Sequence, residues 1–212
     1  MEYEEREEVY GRDEYYWGTE PTGLAKTAEQ YVPDDPEGKR LIDIGAGEGR
    51  DAVFFAERGF DVSAVDVSPA GLTKANRLAE ERGVTITTIE ADANEFEFSE
   101  PMDIVFSCGA VQFIRPAVRA RQFERFQRMT TPGGLHAMFA FVDHPDVPPA
   151  PDTTEDQFPF GRDELQNYYE GWEPLHSEEV IFDDDSGGIP HQHAARVHIA
   201  RAPVSPATDR IE

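Results

Sequence analysis

The stretch that most constrains the fold is residues 41–68, which reads LIDIGAGEGRDAVFFAERGFDVSAVDVS. A short apolar strand leads into a turn with glycines at 45, 47 and 49, followed by a helical pattern and a β-branched strand. Strand and helix alternating in this way are typical of a parallel sheet covered by helices on both faces. Glycines after the first strand let the backbone approach a ligand, and the next helix offers its N-terminal amides. The segment therefore predicts an α/β fold with a nucleotide-cofactor site at this turn.

The same alternation continues along the chain. Strands are predicted at 40–44, 61–66, 84–92, 103–108, 135–142, 173–182 and 193–201. Helices are predicted at 21–32, 48–59, 68–82, 117–130 and 162–171. The last two strands are separated by the turn-forming sequence DDDSGG, so we expect them to form an antiparallel hairpin at the edge of the sheet.

The length of 212 residues suits one sizeable domain with additions. We expect an acidic, aromatic N-terminal extension with a lid helix over 1–38 and an α/β domain over 39–202. Residues 203–212 are predicted to form a flexible tail.

Charge excludes two classes of partner. The chain has 43 acidic and 19 basic residues, a formal net charge of −24. Such a surface repels nucleic acid and anionic membranes. The acidic residues are spread along the chain, which favours adaptation to a salty cytoplasm over an acidic patch for a basic partner, although both interpretations remain open. The chain contains no long apolar run, no secretory signal and one cysteine, so a cytoplasmic location is expected.

The spacing of the glycines indicates which cofactor the turn would hold. A dinucleotide site requires G-x-G-x-x-G, and its third glycine position is taken here by Arg50. The observed pattern is D-x-G-x-G-x-G, which suits S-adenosylmethionine, a cofactor without a pyrophosphate. Asp66 ends the second strand, where a carboxylate can accept both ribose hydroxyls. The alternative is a tight strand–helix turn with no ligand. The residues predicted to bind the cofactor are Asp43, Gly45, Ala46, Gly47, Gly49, Asp66, Val67, Asp92, Ala93, Ser107, Cys108 and Trp17.

These elements resemble the class I S-adenosylmethionine-dependent methyltransferases over about residues 39–142. The resemblance implies a Rossmann-like sheet of seven strands, mostly parallel, with helices on both faces and the last strand antiparallel. A narrower likeness lies in FPFGRDELQNYYEGWE, residues 158–173, and in SCGAVQFI, which are similar to the tellurite-resistance methyltransferases of the TehB type. That resemblance spans about 40–202. It implies methylation of tellurite or selenite oxyanions, or of small thiols, in detoxification.

The N-terminal sequence EYYWGTEP departs from the compact version of that family. It resembles the aromatic lid of thiopurine and thiol methyltransferases, so the oxyanion acceptor is less secure than methyl transfer itself. Trp17, with its tyrosine neighbours, either closes over the cofactor or packs on the side of the domain.

Basic side chains are the candidates for binding an anionic acceptor. A period of two along HQHAARVHIAR places His191 and His193 on one face, where that face leaves the core. They either contact the acceptor or are polar residues at a strand start. A metal site of the H-x-H kind is a third possibility that lacks an obvious further ligand, so no metal is predicted. Arg50 either faces the acceptor or pairs with an acid.

The sequence thus predicts an S-adenosylmethionine-dependent methyltransferase for a small-molecule acceptor, acting as a monomer or homodimer. The alternatives are a methyltransferase for another small metabolite and a non-catalytic module that only binds the cofactor.

Overall fold

The computed structural model describes residues 3–32, 35–185 and 188–204, so most of the predicted tail lies outside the described residues. A seven-stranded sheet in the order β3-β2-β1-β4-β5-β7-β6 forms the centre. Its strands are β1 Arg40–Ile44, β2 Asp61–Asp66, β3 Thr87–Glu90, β4 Met102–Cys108, β5 Thr130–Phe141, β6 Glu173–Asp184 and β7 His191–Arg201. Strands β1 to β5 are parallel, and β7 pairs antiparallel with both β5 and β6. The predicted fold, with an antiparallel last strand inserted by a hairpin, is confirmed.

Helices cover both faces of the sheet. They are α1 Tyr3–Tyr10, α2 Gly23–Ala28, α3 Arg50–Ala56, α4 Pro69–Arg82, α5 Pro116–Arg128 and α6 Glu164–Asn167. The predicted bounds of α4 are met because Ser68 caps its first turn and Gly83, at φ 70°, ends it in a left-handed conformation. Among the described helices, none is long and apolar enough to cross a bilayer.

Two apolar clusters lie on opposite faces of the sheet. Helices α2, α3 and α4 pack against one face, where Phe55 and Phe106 are fully buried. Helix α5 and the segment around α6 pack against the other, where Phe123, Phe126 and Phe160 are fully buried. Because helices cover both faces of the sheet, the central strands are buried on both sides. Their sequences are accordingly almost continuous apolar runs.

Several element bounds differ from the predictions, and tertiary contacts explain the differences. Strand β5 begins at Thr130, not 135, because Thr130 pairs with Met102 of β4 before the register of the two strands shifts between Met102 and Ile104. The Pro-Gly-Gly sequence therefore lies inside an irregular strand. The predicted helices at 21–32 and 162–171 shrink to the short α2 and α6. Helix α1 was not predicted, since its sequence is mostly acidic and its burial comes from distant parts of the chain.

Candidate functional site

The carboxyl ends of the parallel strands open into a cavity of about 770 Å³, called here the main cavity. The turn of residues 45–49, called the glycine turn, lines one end of it. Phe141 and the start of β7 line the other end. Because β7 is antiparallel, its first residues lie beside the last residues of β5. This topology brings His193 to the same cavity as the glycine turn.

The glycine turn requires glycine at 45, 47 and 49 because each has positive φ, at 79°, 53° and 86°. Neighbouring atoms also leave no room for side chains at two of them. A Cβ on Gly45 would lie 2.0 Å from Ala110 Cβ, and one on Gly49 would lie 2.5 Å from Ala75 Cβ. The turn therefore brings bare backbone to the wall of the main cavity.

Asp66 holds the glycine turn against the start of α4. Its carboxylate accepts hydrogen bonds from Gly47 N at 2.8 Å and from Ser68 N at 2.9 Å. The carboxylate also faces a second, smaller cavity of about 100 Å³, which Val67 and Ala93 line. Both cavities border Gly45, so they lie on either side of the first strand end.

Three buried carboxylates surround the glycine turn, and two of them, Asp43 and Asp51, line the main cavity. Burial, with the like charges of Asp51 and Asp66, raises the pKa of Asp43 well above its usual range. Burial also raises the pKa of Asp66, although the amides of Ser68 and Gly47 oppose the shift. Concentrated negative charge at a cavity wall favours a positively charged ligand.

The N-terminal segment closes over the glycine turn through a buried ion pair that sequence reasoning missed. Lys74 Nζ lies 2.6 Å from Glu48 Oε1, and both side chains are buried. Glu48 also accepts the backbone N–H groups of Tyr16 and Trp17, at 3.2 and 3.1 Å. No local pattern signals this role, because Glu48 stands in the turn sequence as an ordinary polar residue.

Trp17 lies at the rim of the main cavity, where its indole N–H donates to Tyr10 Oη at 2.9 Å. Trp17 is 43% exposed, so its side chain is only partly covered by the rest of the domain. Arg50 also lines the cavity, and it donates to the carbonyl oxygen of Trp17 at 2.8 Å. Trp17 and Arg50, both predicted as site residues, therefore contact each other. The sequence suggested that Arg50 would contact the acceptor or pair with an acid, and the structure shows it bonded to a backbone carbonyl.

Three of the predicted cofactor contacts, Gly49, Ser107 and Asp92, are not among the residues that line the two cavities. Ser107 is fully buried and donates to Ile44 O at 2.7 Å, so its hydroxyl joins two neighbouring strands. Asp92 is exposed, and its carboxylate accepts from Asn94 N at 2.8 Å in a local turn. Cys108 does line the main cavity. Burial raises the pKa of its thiol to about 12, so the thiol stays protonated at neutral pH.

The opposite end of the main cavity carries four side chains, called here the histidine cluster: Asp152, Asp184, His191 and His193. His191 Nε2 lies 2.9 Å from His193 Nε2 and 3.0 Å from Asp152 Oδ1. Burial lowers the pKa of His193, and the Asp152 carboxylate partly opposes the shift. The expectation that the histidine pair lacks further ligands is wrong, because two carboxylates reach it: Asp184 from the facing strand of the same hairpin and Asp152 from the loop after β5.

Comparison with known proteins agrees with this architecture. The sequence profile of the family described as "Tellurite resistance protein TehB" matches residues 15–190. The chain belongs to the TehB family. Hemagglutinin 1 of Eikenella corrodens is 30% identical over 142 residues, which cover 67% of this chain and 46% of that protein.

Two further similarities involve Haemophilus influenzae. A probable S-adenosyl-L-methionine-dependent methyltransferase TehB is 28% identical over 137 residues, covering 64% of this chain and 46% of that protein. The crystal structure of TehB from H. influenzae superposes with a TM-score of 0.77 at 23% identity, covering 93% of this TehB-family chain and 67% of that one. The chain therefore spans just under half the length of hemagglutinin 1 and of the H. influenzae methyltransferase sequence. The similarity to the crystal structure shows the fold.

Proposed function

We propose that this chain is an S-adenosylmethionine-dependent methyltransferase that acts on a small molecule, most specifically a chalcogen oxyanion or a small thiol, in detoxification. One observation carries the proposal: a main cavity that runs from the glycine turn, where the buried carboxylates of Asp43 and Asp51 line it, to basic and aromatic side chains at its other end. The name of the H. influenzae relative supports the same activity.

The residues present fit the cofactor. S-Adenosylmethionine carries a positive ammonium group and a positive sulfonium, and the clustered charges of Asp43, Asp51 and Asp66 favour both. The bare backbone of the glycine turn, including Ala46, would hold the amino acid end. Asp66 would accept the ribose hydroxyls, with Val67 and Ala93 beside the adenine, since these three line the smaller cavity. Cys108 would contact the cofactor as a neutral thiol.

When bound, the cofactor supplies an electrophilic methyl group on sulfur. An anionic acceptor needs no general base, so the task of the chain is to align the acceptor and exclude water. Trp17, which bonds to Tyr10 and Arg50, would close the cavity rim as a lid belonging to the 1–38 extension. Arg50 and His193 line the cavity and can donate hydrogen bonds to an anion, with His191 behind His193.

Calorimetry with S-adenosylhomocysteine tests the cofactor site. Asp66→Asn is expected to weaken binding by about 10- to 100-fold, the loss typical of a charged hydrogen-bond partner. The matched control is Asp61→Asn, because Asp61 begins the same strand at the opposite edge of the sheet and is exposed. Equal affinities for the two variants and the parent would contradict the assignment of Asp66.

A panel of acceptors tests the reaction itself. Incubation with labelled S-adenosylmethionine and tellurite, selenite or small thiols is expected to transfer label to at least one of them. Transfer only to another metabolite would replace the acceptor while keeping the activity. Tight cofactor binding with no transfer across the panel would instead favour a module that only binds the cofactor.

A further inference from the structure

We propose that the histidine cluster, Asp152, Asp184, His191 and His193, is a binding site for a divalent transition-metal ion, with Zn²⁺ as the best-suited probe. The site is distinct from the glycine turn and lies at the other end of the main cavity.

The four side chains converge at the spacing a metal site requires. One ligand atom from each lies within 4.8 Å of the other three. His193 Nε2 is 3.5 Å from both Asp152 Oδ1 and Asp184 Oδ2. Ligand atoms bound to tetrahedral zinc at about 2.0–2.1 Å are separated by about 3.3 Å, so these separations need little adjustment.

The hydrogen bonds of the cluster leave its ligand atoms facing one another. His191 Nδ1 lies 2.7 Å from Ile189 O, and a carbonyl only accepts, so Nδ1 carries the proton. In the neutral imidazole, Nε2 therefore presents a lone pair toward His193 Nε2 and Asp152 Oδ1. That carboxylate oxygen is buried and has no hydrogen bond of acceptable geometry within the described residues. A bound cation would satisfy all of these acceptors, and an imidazole oriented by a backbone carbonyl is usual for metal ligands.

The surrounding structure holds three of the ligands on a rigid element. Asp184 and His191 are paired across the β6–β7 hairpin, and His193 is paired with Phe182. The His193 ring also stacks on Phe141, with centroids 4.4 Å apart and an interplanar angle of 3°. Asp152 comes from the loop after β5, so the fourth ligand reaches the hairpin from a separate part of the chain.

The ligand types indicate the class of metal. Two imidazoles with two carboxylates suit zinc and other transition metals, whereas Mg²⁺ and Ca²⁺ prefer oxygen alone. Since His193 and both carboxylates line the main cavity, a metal there would be open to that cavity and would take an anionic acceptor, such as a thiolate or an oxyanion, by expanding from four to five ligands. This role, unlike the site itself, rests on the proposed function.

Titration calorimetry of the untagged, EDTA-treated chain with Zn²⁺ tests the site. We expect one ion per chain, and at least a 30-fold loss of affinity in Asp152→Asn and in His193→Asn. Asp183→Asn and His176→Asn are the matched controls. Asp183 neighbours Asp184 but bonds to Gln192, and His176 lies on β6 beside Glu178, away from the cluster. Both controls should bind zinc as the parent does.

Two outcomes would overturn the proposal: no stoichiometric zinc binding, or equal losses in cluster and control variants, as expected if zinc only associates with the acidic surface. Titrating S-adenosylhomocysteine into the same preparations keeps the two proposals separable. Zinc binding without cofactor binding would reject the proposed function alone, and cofactor binding without zinc would reject the metal site alone.

Discussion

The two ends of the main cavity are built differently. The glycine turn joins two consecutive elements, β1 and α3, and its carboxylates are buried behind the N-terminal segment. The histidine cluster joins a hairpin to a loop some 30 residues earlier in the sequence, and its two carboxylates remain about one quarter exposed, at 27% and 24%. The glycine-turn end is therefore part of the folded core, whereas the histidine cluster lies at the surface of that core.

This difference implies that one end of the cavity can keep the same ligand while the ligand bound at the other end changes. Substitutions at the glycine turn disturb buried charges and backbone, so they affect folding and cofactor binding together. Substitutions in the histidine cluster remove side chains from a sheet edge and a loop, so they should affect ligands with little cost to the fold.

Lys74→Met should produce the largest effect, because it leaves the Glu48 carboxylate buried without its cation. Breaking a buried pair in this way costs about 3–5 kcal/mol. Denaturation in urea should show this loss in the free energy of unfolding. Trypsin should also cleave sooner at Arg12, since Glu48 and Lys74 hold the residues that follow it.

Arg12→Met is the matched control for the urea measurement; it is left out of the proteolysis because it removes the trypsin site. Arg12 pairs with Glu8 on the surface of α1, with both side chains more than half exposed at 58% and 77%. Such pairs contribute under about 1 kcal/mol. Equal stabilities of the Lys74 and Arg12 variants would show that the buried pair does not hold the glycine-turn end together.

Gly49→Ala should cost about 3 kcal/mol, because a left-handed conformation and a clash with Ala75 act together. Gly83→Ala separates the two causes, since Gly83 has similar φ, at 70°, and nothing within 4 Å of an added Cβ. Its expected cost is about 1 kcal/mol. Thermal and urea unfolding of both variants measure the difference, and identical costs would remove the steric part of the explanation.

Strand β5 pairs with the strand that carries His191 and His193, and its buried His136 predicts a smaller, pH-dependent effect. Burial, reinforced by the nearby His198, lowers the pKa of His136 to about 3. The folded state therefore keeps His136 neutral, and the unfolded state takes up a proton below about pH 6.5. The stability that neutral His136 contributes is complete above that pH and is lost as the pH falls toward 3. The free energy of unfolding should fall by about 2 kcal/mol between neutral pH and pH 5 for this reason.

Comparing the parent with His136→Phe isolates this contribution. His136 contacts Thr130 Oγ1 and Tyr169 Oη, so the variant should also lose some stability at pH 7. The informative quantity is the slope of the free energy of unfolding between pH 7 and pH 5, which should be shallower in the variant. Parallel curves would contradict a neutral, buried His136.

Sequence reasoning located the glycine-turn end well. The bounds of β1, β2 and α4 and the positions of Gly45, Gly47, Gly49 and Asp66 follow from short-range patterns, and the structure brings these residues together. The same reasoning chose Ser107 near the end of β4 and Asp92 just after β3. The Ser107 hydroxyl bonds across the sheet and the Asp92 carboxylate bonds within its own turn, and their contact with the cofactor stays a prediction.

The histidine end was only half predictable. The period of two placed His191 and His193 on one face of a strand, and that face does reach the cavity through His193. Asp152 and Asp184 gave no signal, because carboxylates are ordinary in an acidic chain and Asp184 stands within a run of three aspartates. Helix α1, Glu48 and Lys74 were also missed. Their roles depend on partners far along the chain, which local sequence patterns do not reveal.

The sequence by itself determined the parallel sheet, the glycine turn and the carboxylate after the second strand. Each of these is fixed by steric and hydrogen-bonding rules that act over a few residues. It took the folded structure to show that the N-terminal segment packs on the glycine turn through a buried ion pair and that two aspartates join the histidines. Those contacts bring together charges widely separated in sequence, and their energies depend on burial and distance, which only the folded chain defines.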